Sequence, residues 1–101
     1  MRVIVFFDLP VETKADRRSY VKFRNFLLED GFIMMQKSVY SKIVLNNYAS
    51  KLVISRIREH KPPAGVIEVL SISEMQFQNI EYILGTSQNK VVDTQERLVV
   101  L

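Results

Sequence analysis

The stretch RVIVFFDLP, residues 2–10, decides how this chain begins to fold. After Arg2 come five apolar residues without polar alternation, the pattern of a central strand that is covered on at least one face. Pro10 cannot donate a backbone hydrogen bond, and it biases Leu9 away from helical backbone angles. The strand is therefore predicted to end at Asp8, which places a carboxylate at the carboxyl end of a buried strand.

Capping signals and helical periodicity predict two helices. Thr13 and Asp16 resemble a capping box with Asp in place of Glu, so a helix is expected from there to about Glu29, with Gly31 ending it. A second helix over about 48–60 follows two asparagines and stops before two prolines. On a helical wheel the core face of the first helix is predicted to hold Tyr20, Val21, Phe23, Leu27 and Leu28.

The remaining regular segments have strand patterns. Residues 32–45 predict either two strands, roughly 32–36 and 38–45, joined by a very tight turn, or one long kinked strand. Residues 73–78 predict a single helical turn that starts at a serine. Further strands are predicted at 66–72, 79–84 and 97–101.

This order of elements predicts an α+β fold of the ferredoxin-like βαββαβ type, with an antiparallel sheet, both helices on one face and one or two extra C-terminal strands. We expect residues 1–84 to form this domain and residues 85–101 to form a C-terminal loop and strand extension. The first strand is apolar on both faces, whereas two helices cover only one face of such a sheet. The uncovered face is therefore expected to pack on a second copy, giving a sheet-to-sheet homodimer.

Length and composition exclude several classes of protein. A chain of 101 residues and 11.8 kDa is sufficient for one compact domain. It contains no cysteine, which excludes a disulfide framework and a thiolate metal site, and we expect a cytoplasmic protein without a secretory leader. The longest apolar run is five residues, far short of the ~20 that cross a bilayer, so no membrane association is expected.

The net charge of +3 arises entirely in the first half of the chain, because residues 1–50 contain eight basic and five acidic residues. This asymmetry favours a polyanionic partner without proving one. The cations on the segments that flank the end of the first strand are candidate phosphate ligands, although a solvated helix face is the usual interpretation of such residues. The candidates are Lys14, Arg17, Arg18, Lys22 and Lys37.

Familiar catalytic motifs are absent, and the one histidine, His60, is interpreted as a partner of a helix dipole or a surface residue. Asp8 is the better catalytic candidate, because an acid directly after five apolar residues needs a partner or pays for desolvation. It either accepts hydrogen bonds from the turn or the helix, or it holds a metal. In a twofold dimer the two copies of Asp8 would share one Mg²⁺, and a water activated there would attack a phosphodiester.

Two further residues give smaller hints. Ser38 and Tyr40 lie at and after the predicted turn, on the segment that pairs next to the first strand. A tyrosine on a strand either packs against neighbouring strands or offers a platform for a nucleic-acid base, and packing is the commoner role. Both residues are kept as supporting candidates.

Four short motifs give the chain a family resemblance: RVIVFFDLP at 2–10, RRSY at 17–20, SVY at 38–40 and NIEYILG at 79–85. In this order and spacing they resemble the CRISPR-associated protein two family, and most of all its type II members. The resemblance covers nearly the whole chain. It implies a ferredoxin-like homodimer that acts as a metal-dependent endonuclease on single-stranded RNA or double-stranded DNA.

The resemblance also assigns residues. The essential aspartate of the family corresponds to Asp8, whose two copies share one Mg²⁺, for which Mn²⁺ would substitute. Arginines at the start of the first helix correspond to Arg17 and Arg18, and the aromatic residue of the SVY motif to Tyr40. In spacer acquisition, family members bridge two integrase dimers along captured DNA, a role in which the aspartate can be dispensable. A C-terminal strand docks on the integrase in some members, and here it would comprise Arg97, Leu98, Val99, Val100 and Leu101.

Two other functions are compatible with the same sequence. The first is a ferredoxin-like regulatory or protein-interaction dimer without nuclease activity, which needs neither an acid at the end of the first strand nor a basic helix. The second is an RNA-only nuclease of toxin type that shares the fold.

Overall fold

The structure is a computed structural model that describes residues 1–86. The predicted strand at 97–101, and with it the predicted docking segment, lies outside the described residues. The helices and strands of the described part follow in the order β1 Arg2–Asp8, α1 Lys14–Glu29, β2 Ile33–Gln36, β3 Val39–Ile43, α2 Asn47–Glu59, β4 Val66–Ile72 and α3 Glu74–Gln78. The first six of them are the predicted βαββαβ series.

The four strands form one sheet in the order β2-β3-β1-β4. β1 lies in the interior and pairs antiparallel with β3 on one side and with β4 on the other, and β2 pairs antiparallel with β3. The prediction of an α+β fold with an antiparallel sheet is therefore confirmed. Of the two descriptions of residues 32–45, two strands joined by a tight turn is the correct one.

The helices begin where their capping residues indicate. The Thr13 hydroxyl accepts a hydrogen bond from the Asp16 amide at 3.0 Å, and the Asp16 carboxylate accepts one from the Thr13 amide at 3.2 Å. This reciprocal pair satisfies two donors that a helix start leaves unpaired. α1 ends before Gly31, whose φ of +100° is costly for any residue with a Cβ atom. α2 begins after Asn46, whose side chain accepts from the Ala49 amide.

Both long helices pack on the same face of the sheet. Alternate residues of β1 point into one buried cluster that also contains residues from both helices, namely Val3, Val5, Phe7, Phe23, Leu27, Val53 and Ile57. Ile4 is only 5% exposed but is not part of this cluster, because successive residues of a strand point to opposite faces. The core therefore lies between the helices and one face of the sheet.

The predicted core face of α1 is too wide. Phe23 and Leu27 are buried as expected, but Val21 is 47% exposed and Leu28 is 42% exposed. The two buried residues are four apart, so only a narrow stripe of the helix faces the sheet. Apolar residues at the flanks of that stripe remain in contact with solvent.

Residues 79–84 are not a strand, which corrects the prediction for this segment. The Asn79 amide donates to the carbonyls of Met75 and Gln76. The first residue of the segment therefore caps the end of α3 and does not begin a strand. Ile83 and Leu84 are 88% and 94% exposed. A β-forming sequence becomes a strand only where a sheet edge pairs with it, and this segment pairs with no edge within the described residues. The predicted boundary between a domain at 1–84 and an extension at 85–101 stays a prediction.

α3 is held to the start of β1 by one arginine. The Arg2 guanidinium donates to both carboxylate oxygens of Glu74 at 2.9 and 3.1 Å, and it lies 3.8 Å from the centre of the Phe77 ring. The hydrogen bond from Arg2 lowers the pKa of Glu74 below its usual range. None of the helices in the described part of the chain has the length and hydropathy of a membrane span.

Candidate functional site

Several segments meet at the end of the sheet where β1 ends. The Phe7 amide donates to the Ser38 carbonyl at 3.0 Å, so the turn between β2 and β3 lies beside the last residues of β1. On the other side Asp8 pairs with Val66, the first residue of β4. α1 begins six residues after Asp8, at Lys14. The candidate acid, the hairpin turn and the start of the basic helix are thus neighbours at one end of the sheet.

Asp8 projects from the face of the sheet opposite the two long helices α1 and α2, on which the short helix α3 contacts Arg2 at the start of β1. It follows the alternation of Arg2, Ile4 and Phe6, which is opposite to that of the core residues of β1. The residue is exposed, and within residues 1–86 its carboxylate takes part in no hydrogen bond or ion pair. The structure therefore gives no support to the alternative in which the turn or α1 stabilises this acid.

The surrounding surface, called the open face below, consists of the β1 residues Arg2, Ile4, Phe6 and Asp8 and of the residues that share their orientation on the other strands. Four of those neighbours are large apolar residues with an exposed fraction of about one half or more: Ile33 (50%), Ile43 (62%), Val66 (58%) and Leu70 (49%). An apolar sheet face of this kind is typical of a surface that another chain covers. Asp8 lies at its edge, at the end of β1.

A second carboxylate on the open face was missed in the sequence analysis. Glu68 pairs with Phe6, and Asp8 pairs with Val66, so Glu68 is the diagonal neighbour of Asp8 on the adjacent strand. Residues in this relation have Cα atoms about 7–8 Å apart. The signal was present in the alternation of VIEVLSI, which puts Glu68 on one face with Val66 and Leu70, but the pairing register of the two strands was needed to place it beside Asp8.

The acids of one protomer fit only part of a magnesium site. Within residues 1–86 there is no group of three or more His, Cys, Asp or Glu side chains that could hold a metal ion. Mg²⁺, however, keeps several waters and is usually bound by one or two carboxylates together with phosphate oxygens of the substrate. An exposed, unpaired Asp8 at the edge of the open face suits that requirement if a second chain brings its own carboxylate to the same place.

Gly65 fixes the backbone that carries Asp8, and the sequence analysis missed it too. Its φ is +107°, and a Cβ atom built on it would lie 2.7 Å from the carbonyl oxygen of Asp8 and 2.7 Å from Leu9. Only glycine allows this close approach together with this backbone angle. The loop before β4 therefore packs closely against the backbone of Asp8, the candidate metal ligand.

We expect Gly65→Ala to lower the free energy of unfolding by about 2–4 kcal/mol, since the added methyl group adds a clash with the Asp8 backbone to the strain of a positive φ. Chemical denaturation of the two proteins measures the difference. Gly85→Ala is the matched control: Gly85 has a φ of +81° but nothing within 4 Å of its would-be Cβ atom. Equal losses in the two variants would mean that the contact with Asp8 contributes nothing.

The candidate cations lie in two places. Lys14, Arg18 and Lys22 form an exposed stripe on α1 that spans about 12 Å, and none of them has an ion-pair partner within residues 1–86. Arg17 is exposed as well, but its guanidinium donates to the carbonyls of Val11 and Glu12 at 3.0 and 2.9 Å and so braces the loop before α1.

Lys37 is exposed in the hairpin turn, near the end of β1. The stripe on α1, by contrast, belongs to the helical layer, on the other side of the sheet from Asp8. Only the start of α1 and the hairpin turn lie at the end of the sheet where Asp8 is found. The structure therefore does not bring all five cations into one cluster around Asp8.

The two supporting candidates have structural environments of different kinds. Tyr40 is 1% exposed, and its ring stacks on Phe7 with centroids 5.6 Å apart. Of its two interpretations the structure supports packing, because a ring buried in the core has no free face for a base. Ser38 has a φ of +65°, the only non-glycine residue of the described chain in this region, and its carbonyl accepts the hydrogen bond from Phe7. It shapes the turn beside Asp8.

Comparison with known proteins gives three findings. The family model described as "CRISPR associated protein Cas2" matches residues 1–80. A protein of Treponema denticola named "CRISPR-associated endoribonuclease Cas2" is 52% identical over 101 residues, covering 100% of both chains. A protein of the same name from Streptococcus mutans is 45% identical over 101 residues, covering 100% of this chain and 93% of its own length.

A structural relative agrees at the level of the fold. The crystal structure of Streptococcus pyogenes Cas2 at pH 6.5 superposes with a TM-score of 0.63 at 20% sequence identity, covering 84% of this chain and 100% of the other. At this identity the likeness concerns the fold alone. It extends to the ferredoxin-like arrangement of strands and helices described above.

Proposed function

Because this chain belongs to the CRISPR associated protein Cas2 family, we propose that it is a homodimeric, metal-dependent endonuclease that also binds DNA as a subunit of CRISPR adaptation. The resemblance found in its sequence motifs is thereby confirmed at the level of the family, and the assignment to type II systems stays a prediction. Its relatives are named endoribonucleases, which supports an endonuclease activity for this chain. The observation that carries the proposal is the exposed, unpaired carboxylate of Asp8 at the edge of the apolar open face.

The dimer is proposed to form between two open faces. Ile43, Val66 and Leu70 are large apolar residues that remain about half exposed or more in one protomer, and burying them would be favourable by roughly 25 cal/mol per Å² of apolar surface. A twofold interface brings the same patch of both protomers together. Asp8 of each chain would then lie at the interface, which supplies the second carboxylate that a single protomer lacks.

Asp8 of both protomers would hold the divalent cation, Mg²⁺ or Mn²⁺, and Glu68 stands close enough to orient or supplement it. When bound, such an ion neutralises charge on a phosphodiester and makes a water acidic enough to act as a nucleophile. The part of this chain is to place carboxylate oxygens at one point of the dimer axis, to exclude bulk water with the surrounding apolar residues, and to keep the Asp8 backbone rigid through Gly65.

Nucleic-acid binding is proposed for the exposed cations, with double-stranded DNA as the main partner and RNA as a second substrate. Lys14, Arg18 and Lys22 lie free on one side of α1, where they can follow a phosphate backbone without base specificity. In adaptation the dimer would bridge two integrase dimers, and residues 97–101 would dock on that partner. We place this activity in the cytoplasm.

Removal of the three positive charges of the exposed stripe on α1 tests the proposed surface. We expect Lys14→Gln/Arg18→Gln/Lys22→Gln to weaken duplex binding equally for unrelated sequences and to lower the slope of log K against log salt by about 2.7 for each protomer that contacts the duplex, since each lost phosphate contact removes about 0.9. Fluorescence anisotropy at several salt concentrations gives the slope. Lys51→Gln/Arg58→Gln, which removes exposed charges from α2, should leave the slope unchanged. An unaltered slope in the triple variant would assign binding to another surface.

The alternative function, a regulatory or protein-interaction dimer without nuclease activity, makes the opposite prediction for the same measurement. Such a module would show no salt-dependent affinity for an arbitrary duplex. It would use the apolar face for dimerisation but would leave the acid at the end of β1 without a chemical role.

A further inference from the structure

A groove of about 900 Å³ runs between the outer side of α1 and the segment that leaves the C-terminal end of α2. Arg18 and Lys22 line it from α1, and Lys61 and two prolines line it from the opposite side. Its volume falls in the range of sites that hold small organic ligands. The groove lies on the helical layer of the protein, on the other side of the sheet from Asp8.

The groove contains a preformed aromatic stack. The rings of Phe26 and His60 are parallel within 10°, with centroids 4.0 Å apart. His60 remains an exposed residue although Phe26 covers one of its ring faces, so its other face and edge are open. The Nδ1 atom of His60 lies 2.8 Å from the carbonyl oxygen of Arg56. Because a carbonyl oxygen only accepts hydrogen bonds, Nδ1 carries a proton and the ring is held in a fixed orientation.

Charges of both signs line the groove: the cations of α1 lie N-terminal to the aromatic stack, and Lys61 directly follows His60 in the chain. Lys22 lies about one turn and Arg18 about two turns N-terminal to Phe26 on α1, so Arg18 is about 12 Å from it along the helix axis. Glu29 lines the groove three residues beyond Phe26, and Glu59, directly before His60, lines it as well. Two carboxylates beside the aromatic stack disfavour a phosphate there. A phosphate is favoured at the cationic end.

We propose that this groove binds an unpaired nucleotide of a nucleic-acid strand, with its base stacked on the open face of His60 and the adjoining phosphates against Arg18, Lys22 and Lys61. An aromatic platform beside a cationic track is the combination that single-stranded nucleic acids require. The carboxylates of Glu29 and Glu59 are hydrogen-bond acceptors for N–H groups on the edge of the base, such as the N3–H of thymine or the amino group of adenine. The inference rests on the proposed function, because two of the cations are shared with the duplex-binding stripe of α1.

Binding of a single strand and of a duplex to the dimer tests this inference. The probes are a fluorescein-labelled 12-nucleotide oligo(dT) and a blunt duplex of equal length, measured by anisotropy in EDTA so that no cleavage occurs. His60→Ala is expected to weaken oligo(dT) binding about five- to one-hundred-fold and duplex binding less than twofold, since one stacked base is lost. His60→Phe, which keeps the ring, should bind oligo(dT) within about threefold of the parent protein.

Tyr48→Ala is the matched control, because Tyr48 is an exposed aromatic residue at the opposite end of α2. It should change neither affinity. Equal oligo(dT) binding by His60→Ala and the parent protein, with duplex binding intact, would overturn the groove inference alone. Failure of the parent protein to bind either probe would overturn both the groove inference and the proposed function. A parallel loss of duplex binding in His60→Ala would assign the histidine to the common phosphate track and also contradict the inference.

Discussion

Asp8→Asn is expected to reduce Mg²⁺-dependent cleavage of RNA and duplex DNA by about two to three orders of magnitude, a loss comparable to that of other charged groups at reacting centres. The physical reason is that a neutral amide is a poor ligand for a hard divalent cation, and a twofold site loses both of its carboxylates at once. The fold should be unaffected, because the Asp8 carboxylate has no hydrogen bond within the described residues. Cleavage of a labelled substrate across a Mg²⁺ titration measures the effect.

Glu12→Gln provides the control for this variant. Glu12 is exposed in the loop after β1, so the substitution removes the same charge close to the same end of the sheet. It should retain full activity. If Asp8→Asn cleaves as well as the parent protein, the metal site lies elsewhere. If it loses cleavage but still supports integration together with the integrase, the catalytic and adaptation roles are separate functions of one dimer.

The second large effect is expected at the open face. Leu70→Glu should raise the dimer dissociation constant at least about 100-fold, because each interface would bury two unpaired carboxylates, one from each protomer. Leu70 is 49% exposed in one protomer and lies beside Ile4 on the adjacent strand, so the variant has little reason to unfold. Sedimentation velocity over a range of concentrations gives the dissociation constant. Cleavage should fall with it, since one protomer holds an incomplete set of ligands.

Leu52→Glu separates the effect of position from the effect of charge. Leu52 is 45% exposed, a value close to that of Leu70, but it belongs to α2 on the opposite layer. This variant should sediment as a dimer and remain active. A monomeric Leu52→Glu together with a dimeric Leu70→Glu would place the interface on the helical layer, and the shared metal site would then have no structural basis.

Much of the fold was predictable because its signals are local. The apolar run of β1 and the proline after it determined where the strand ends, and the Thr13–Asp16 capping box determined where α1 begins. These features act over a few residues and depend little on the remainder of the chain. The position of Asp8 at a strand end follows from the same local rules.

Features that depend on pairing partners were less predictable. Residues 79–84 have a β-forming sequence but are not a strand, since a strand needs a neighbour and a neighbour is a property of the assembled fold. Glu68 became a neighbour of Asp8 only through the register of β4 against β1. Val21 and Leu28 are the corresponding case for a helix. A helical wheel shows which residues lie on the apolar side of α1, but it does not show how many of them contact the sheet.

The sequence by itself determined the βαββαβ order, the acid at the end of β1, the basic stripe of α1 and the family, because each of these is encoded in residues close together along the chain. Only the tertiary structure decided that Asp8 points to the face opposite the long helices, that Gly65 contacts its backbone, that Tyr40 is a core residue, and that His60 stacks on Phe26. Those relations join residues from distant parts of the chain. Their geometry follows from strand register and helix packing, which form only when the whole core assembles.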